Sequence, residues 1–265
     1  MLQIKNVYKT FNPGTINEKK ALRNLNLTLK DGDFVTVIGG NGAGKSTMLN
    51  MIAGVYPVDA GKILIDDIDV TRLPEHKRAA YLGRVFQDPM MGTAADMWIE
   101  ENMALAAGRG TKRGLHWAIR NKQREEFKEL LKELDLGLEN RLSTKVGLLS
   151  GGQRQALTLL MATMKRPKLL LLDEHTAALD PKTAAKVLEL SQKLIREDGL
   201  TALMITHNMK DAIHYGNRLI MMNNGKIILD VSGEEKKKLT VEDLLHEFTR
   251  LSGDEFANDR ALLTK

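Results

Sequence analysis

The chain contains no cysteine among its 265 residues. That excludes a disulfide framework, thiolate zinc or iron–sulfur ligation and a cysteine nucleophile, and it is compatible with a reducing compartment. Long apolar runs are missing too. A membrane-spanning helix needs about 20 consecutive apolar residues, and stretches such as Met103 to Ala107 or Leu169 to Leu172 stop far short of that. The opening residues MLQIKNVYKTF alternate like a strand and lack the apolar centre and cleavage site of a secretory signal. A soluble, intracellular protein is therefore expected. No period of about 20 to 50 residues repeats and no segment is low-complexity, which excludes a solenoid or an unstructured linker. Net charge is small: 39 lysines and arginines against 34 aspartates and glutamates give +5, too mild an excess to indicate nucleic acid.

What is present is alternation. Asp33 to Ile38 (DFVTVI) reads as a buried strand, and Ser46 to Ala53 follows as a helix. Lys168 to Leu172, Leu200 to Ile205 and Arg218 to Met222 are continuous apolar runs bounded by polar or turn residues. Strands apolar on both faces need helices on both sides, so the fold class is α/β with a parallel-sheet core. From about 88 to 162 the texture changes to a helical insertion in which Phe127, Leu130, Leu131 and Leu134 share one face. Its basic portion (Arg109, Lys112, Arg113, Arg120, Lys122, Arg124) interleaves a single aromatic, Trp117. This reads as a solvated face rather than a nucleic-acid groove, which offers several stacking rings. Val241 to Arg250 reads as a short amphipathic helix after a charged turn at Glu234 to Lys238. The expected organisation is a domain over 1–240, with a core at about 1–87 and 163–230, and a helical tail over 241–265.

Gly39-Gly40-Asn41-Gly42-Ala43-Gly44-Lys45-Ser46 fits the phosphate-loop pattern G-x-x-x-x-G-K-[ST] and lies between a buried strand and a helix, where that pattern must lie. Closely spaced glycines let the backbone N–H groups turn inward as an anion nest, and the helix directs its positive dipole end at the same place. Lys45 is expected on the β- and γ-phosphates and the Ser46 hydroxyl on magnesium, with Thr47 in support.

Leu169 to Leu172 delivers Asp173 and Glu174 at the end of a buried strand, where ionised carboxylates need a cation or donors. Asp173 is expected in a magnesium shell, and Glu174 is expected to orient or deprotonate a water. Asp180, just before Pro181, suits a helix N-cap as well as a functional role. Ser150-Gly151-Gly152-Gln153 stands at a second helix N-terminus, readable as a plain N-cap or as a second anion site. If it is an anion site, a two-fold pair with the serine turn of one copy on the γ-phosphate of the other uses both sites. His207 follows an apolar strand at the edge where α/β sheets place ligands, and reads either as a γ-phosphate donor or as a structural histidine.

In this order, over about residues 1 to 230, the segments resemble the nucleotide-binding subunit of ATP-binding cassette (ABC) transporters. By that resemblance GGNGAGKST is the Walker A segment, Gln87 in VFQDP the Q-loop residue, also at the metal, and LSGGQ the signature. LLLLDE is the Walker B segment, AALD the D-loop, His207 the switch histidine, and Phe11 the aromatic stacked on adenine, with Tyr8 assigned to strand packing. The resemblance implies a phosphate-loop NTPase with an N-terminal antiparallel β region and a helical subdomain. It also implies ATP and Mg2+ as cofactors, a homodimer closed through ATP, transmembrane permease subunits and an extracellular substrate-binding protein as partners, no nucleic acid, and a place at the cytoplasmic face of the membrane.

His175 and Ala178 depart from the commoner proline and serine of the family. The strings DEHTAALDPKTA and LLSGGQRQALTLLMATM are similar to bacterial importer ATPases serving amino-acid-like solutes. Met90, Met91, Met97 and Trp98 suit either a docking surface for the permease or the core of the insertion. An exporter ATPase, a soluble non-transport ATPase of the same fold and a nucleotide-gated binding subunit are the competing readings. A single cassette, no long coiled-coil insertion and no cysteines for a cluster argue against the soluble one.

Overall fold

The computed structural model describes residues 1–111 and 119–252. Lys112, Arg113 and Trp117 of the basic stretch, and the tail beyond residue 252, lie outside them. The chain divides into two compact units, residues 1–78 with those from 199 onward, and residues 79–198.

In the first unit, β1 (Leu2–Phe11) pairs antiparallel with β2 (Lys19–Leu29), Leu2 opposite Leu29 and Ile4 opposite Leu27. The register shifts between Ile4 and Val7, where Asn6 adopts a left-handed φ of 49°. The shift inverts the alternation: Leu2 and Ile4 are buried before it, Val7 and Lys9 after it. Tyr8 consequently turns outward, 43% exposed, and does not pack in the strand as the sequence suggested. Next come β3 (Phe34–Ile38), buried at all five positions, α1 (Lys45–Ala53), β4 (Ala60–Ile65), β5 (Ile68–Asp69) and α2 (Glu75–Arg78). Strands β2, β1, β4 and β5 form one antiparallel sheet in that order.

The second unit holds β6 (Leu82–Val85), α3 (Ile99–Ala107), α4 (Asn121–Lys132), α5 (Gly151–Thr163), β7 (Leu169–Asp173) and α6 (Pro181–Glu197). Strands β6 and β7 are parallel, with Val85 opposite Leu172. Phe127, Leu131 and Leu134 enter one apolar cluster with Ile99, Met103, Leu157 and Leu160, and Leu130 packs on its edge. The basic stretch is not uniformly solvated. The Arg109 guanidinium donates to the Ala162 carbonyl at 2.9 Å, and burial lowers its pKa. Arg124 closes a two-pronged pair on buried Glu100 at 2.7 and 3.1 Å.

The chain then returns to the first unit with β8 (Ala202–Ile205), α7 (Met209–His214), β9 (Arg218–Asn223), β10 (Lys226–Ser232), α8 (Gly233–Lys238) and α9 (Val241–Ser252). Strand β3 lies between parallel β8 and β9, and β10 runs antiparallel to β9. Leu244 and Phe248 of α9 pack with Met209 and Ala212 of α7 and with Leu219 and Met221 of β9. Glu234 to Lys238 is helical rather than a turn, and Lys236 is buried, its ammonium donating to the Tyr215 and Gly216 carbonyls. Among the described residues no helix is long and apolar enough to cross a membrane.

Candidate functional site

Residues 39–44 leave β3 and enter α1 through three left-handed glycines, Gly39 (φ 148°), Gly42 (76°) and Gly44 (103°). Gly39 has a second reason to lack a side chain: a Cβ there would lie 2.2 Å from the Met222 carbonyl oxygen of β9. Gly44 is the N-cap of α1 and offers no side-chain acceptor, so no capping side chain takes up the amides of the helix start. Lys45 is buried, 5% exposed, and its Nζ donates to the Gly39 and Gly40 carbonyls at 2.7 and 3.1 Å. Asn41, Gly42 and Ser46 are exposed, while Ala43 is buried. Thr47 is half-buried. Strands β3 and β8 are parallel with Val37 opposite Ile205. The glycine loop and His207 therefore leave the same sheet edge, the edge at which open α/β sheets hold ligands. Asn208 caps α7 directly after His207 through bonds to the Lys210 and Asp211 amides.

Phe11, half-buried at the end of β1, meets Tyr56 edge-on at 5.3 Å between ring centroids, and the Lys9 ammonium lies 5.6 Å from its centroid. Lys9 is in turn fixed by Asp59 at 2.8 Å, and the Thr10 amide bonds the same carboxylate. Neither Tyr56 nor Asp59 was identifiable from the sequence, because Tyr56 reaches Phe11, and Asp59 reaches Lys9 and Thr10, from a loop about 45 to 50 residues away.

In the second unit the parallel β6–β7 register brings Gln87, Asp173 and Glu174 to one edge as well. Gln87 is exposed. The residue before it, Phe86, accepts a hydrogen bond from buried Gln155 of α5 at 3.1 Å. Asp173 is 16% exposed and faces the Arg84 guanidinium at 3.5 Å, a neighbour that strand parity alone does not reveal. Glu174 takes a left-handed φ of 46°. His175 after it is buried against Ser191, and burial pushes its imidazole down to about 4, leaving it neutral.

Ser150 is the N-cap of α5: its hydroxyl accepts from the Gln153 amide at 3.3 Å, and the Gln153 side chain returns to the Ser150 amide at 3.2 Å. This is a capping box. The glycines of this turn serve close packing, since a Cβ on Gly152 would lie 2.2 Å from Thr183 Cγ2 and one on Gly151 3.3 Å from Leu179. Asp180 caps α6, accepting from the Thr183 amide at 3.1 Å, and the Thr183 hydroxyl is the first cause holding its carboxyl below the usual range. Both turns thus make the plain caps weighed in the sequence, with the Ser150 turn and the start of α6 in contact within one unit. Met90, Met91 and Trp98 are exposed and Met97 is half-buried. Met91 lines a cavity of about 420 Å3 with Leu105, Arg109 and Met161.

Magnesium prefers oxygen donors and retains waters and phosphate oxygens, so it needs only one or two protein groups. The Ser46 hydroxyl and the Asp173 carboxylate are donors of that kind. Among the described residues no group of three or more His, Cys, Asp or Glu is placed to hold a metal on protein atoms alone. Taken singly, the chemistry of each donor suits an Mg2+ completed by phosphate oxygens and water.

Residues 22–177 match the family model described as ABC transporter. The chain is 47% identical over 249 residues to the tyrosine transport ATP-binding protein of Clostridioides difficile (strain R20291), covering 94% of this chain and 98% of that one. It is 33% identical to the xylose/arabinose import ATP-binding protein XylG of Sulfolobus acidocaldarius, with 94% of each covered. Among solved structures, the dimeric ATP-binding cassette MJ0796, bound to ADP and Pi after hydrolysis, superposes with a TM-score of 0.74 at 33% identity. That match covers 88% of this chain and 98% of that one. With the glycine loop, the paired acids and the parallel sheet already located, these likenesses place the chain in the ABC transporter family, as an ATP-hydrolysing subunit with the phosphate-loop NTPase fold.

Proposed function

We propose that the chain powers uptake of an amino-acid-like solute, as a head-to-tail pair docked on a transmembrane permease and served by an extracellular substrate-binding protein. The observation that carries the ATP-driven part is the loop of left-handed glycines opening α1 beside buried Lys45. The similarity to a tyrosine transport ATP-binding protein supports the solute class. Attachment to the cytoplasmic face of the membrane is then peripheral, through the permease, with Met90, Met91, Met97 and Trp98 as the docking surface.

In this reading adenine stacks on Phe11, which contacts a ring face without reading base edges. The amides of Gly39, Gly40, Asn41, Gly42, Ala43 and Gly44 enclose the phosphates, and Lys45, Ser46 and Thr47 complete the cradle. Ser150, Gly151, Gly152 and Gln153 of the second copy close over the γ-phosphate, with Asp180 at the same junction. Ser46, Gln87 and Asp173 would hold Mg2+, which supplies positive charge to the phosphate oxygens. Glu174 orients a water and takes its proton as the water oxygen attacks the γ-phosphorus. The bond to the β–γ bridging oxygen breaks, leaving ADP and phosphate. Lys45 and His207 stabilise the charge that develops.

The test is uptake of labelled tyrosine into vesicles that enclose ATP, with the chain on the lumenal face of its permease and the binding protein outside. ATP-dependent accumulation is expected. Glu174→Gln should still bind ATP but lose both hydrolysis and uptake, with turnover falling about 10²- to 10⁴-fold. ATP-driven loss of solute from that ATP-loaded lumen would make the chain an exporter subunit, and near-wild-type hydrolysis by Glu174→Gln would overturn the role of that carboxylate.

A further inference from the structure

His175 occupies a position where the resemblance leads one to expect proline, and it is 2% exposed, unusually deep for a histidine. Its Nε2 lies 2.9 Å from Ser191 Oγ, on the buried side of α6. The Ser191 hydroxyl donates its one proton to the Val187 carbonyl at 2.7 Å. The serine oxygen must then accept from the histidine, which fixes the ring proton on Nε2. A relay of directed bonds therefore runs from the residue after Glu174 into the backbone of α6, between the buried Val187, Leu188 and Leu194.

The segment this relay holds is a strained one. Glu174 is a non-glycine residue in the left-handed region, a conformation that costs on the order of 1 kcal/mol and persists only where the surroundings over-determine it. The turn closes through the Ala177 amide onto the Glu174 carbonyl at 2.9 Å and the Leu179 amide onto the Thr176 carbonyl at 3.1 Å, before Asp180 caps α6. These bonds are local to the turn. The His175 to Ser191 bond spans 16 residues and fastens it to the helix. A proline would restrict the backbone covalently; here a side-chain tether takes that role.

We propose that His175 is a positioning residue for ATP hydrolysis: its hydrogen bond to Ser191 anchors the left-handed turn at Glu174 to α6 and so holds the Glu174 carboxylate at the place where it orients water. The proposal rests on the reading of Glu174 as the water-orienting group. A carboxylate misplaced by about 1 Å can lose on the order of 10²-fold in rate.

The experiment is steady-state hydrolysis and equilibrium ATP binding by the full chain carrying Ser191→Ala, His175→Ala, the double variant and His175→Gln. Ser191→Ala is a small change that leaves the fold in place. It should lower kcat about 10- to 100-fold while KM and the Kd for ATP stay within about twofold. His175→Ala should lose as much, the double variant no more than either single one, and His175→Gln, which keeps a donor near that position, should recover most of the rate. Additive losses, or a KM that rises in step with falling thermal stability, would reduce His175 to a packing residue and overturn the proposal. So would a wild-type kcat for Ser191→Ala. Glu174→Gln separates the two readings: if it abolishes turnover while Ser191→Ala does not, only the role of His175 fails; if it keeps turnover, the underlying assignment fails first.

Discussion

Lys45 Nζ sits 2.7 Å from the carbonyl oxygen of Gly39, so the loop's own cation is folded onto the loop's own backbone. An incoming triphosphate offers that ammonium a charged acceptor in place of neutral carbonyls, and charged hydrogen bonds contribute about 1.5–3 kcal/mol. Lys45→Ala should therefore weaken ATP binding by about 10- to 150-fold in a calorimetric titration. Unaltered affinity would reject the phosphate-cradle role.

Gly152 and Thr183 leave no room for a methyl group between them, since a Cβ on the glycine would lie 2.2 Å from Thr183 Cγ2. Gly152→Ala should force the start of α5 away from α6 and cost about 1–3 kcal/mol in stability, the usual range for overpacking. Thr183→Ser removes the offending methyl and keeps the hydroxyl that serves Asp180. The pair Gly152→Ala with Thr183→Ser should thus regain stability and hydrolysis that Gly152→Ala alone loses. Equal losses in the single and double variants would show that the contact is not what requires glycine.

Arg78 is 1% exposed and spends its guanidinium on four carbonyls, those of Met51, Ile52, Leu73 and Thr71, at 2.6 to 3.0 Å. Two of these end α1, so the cation caps the helix that begins at the phosphate loop. Arg78→Met keeps apolar bulk but leaves the carbonyls without donors, and a loss of about 3 kcal/mol is expected in urea unfolding. A change below about 0.5 kcal/mol, the level of ordinary surface substitutions, would contradict this.

Burial lowers the Lys236 pKa from 10.5 to about 8. Between those values the unfolded chain binds more protons than the folded one, so this group's contribution to stability rises with pH through that window. Below about pH 8 both states are protonated and the desolvation cost is fully present. Unfolding free energies of the wild type and Lys236→Met, compared from pH 7 to 10.5, should diverge in favour of the wild type by on the order of 3 kcal/mol. A difference that stays flat with pH would remove the shift.

The glycine loop was legible because its spacing, the preceding apolar strand and the following helix all sit within about 20 residues of sequence, and local geometry follows from local chemistry. The caps at Ser150 and Asp180 were legible for the same reason. Features built by distant chain were not. Nothing around Glu234 to Lys238 signals that the middle lysine turns inward to two carbonyls about 20 residues earlier, and a run of charges reads as solvated unless the helix is placed. Tyr8, expected to pack in the strand, faces outward because the register shifts at Asn6 and the faces exchange, which no local residue pattern announces. The tether at His175 was hidden for the same reason, since its partner Ser191 lies on another element.

Leu244 and Phe248 cover the apolar side of α7, the short helix that begins two residues after His207. The C-terminal segment is accordingly no dispensable trailer. A version cut at residue 240 would bare an oily patch behind the histidine's own support and behind Ile38, the last strand residue before the glycine loop, and should clump in solution.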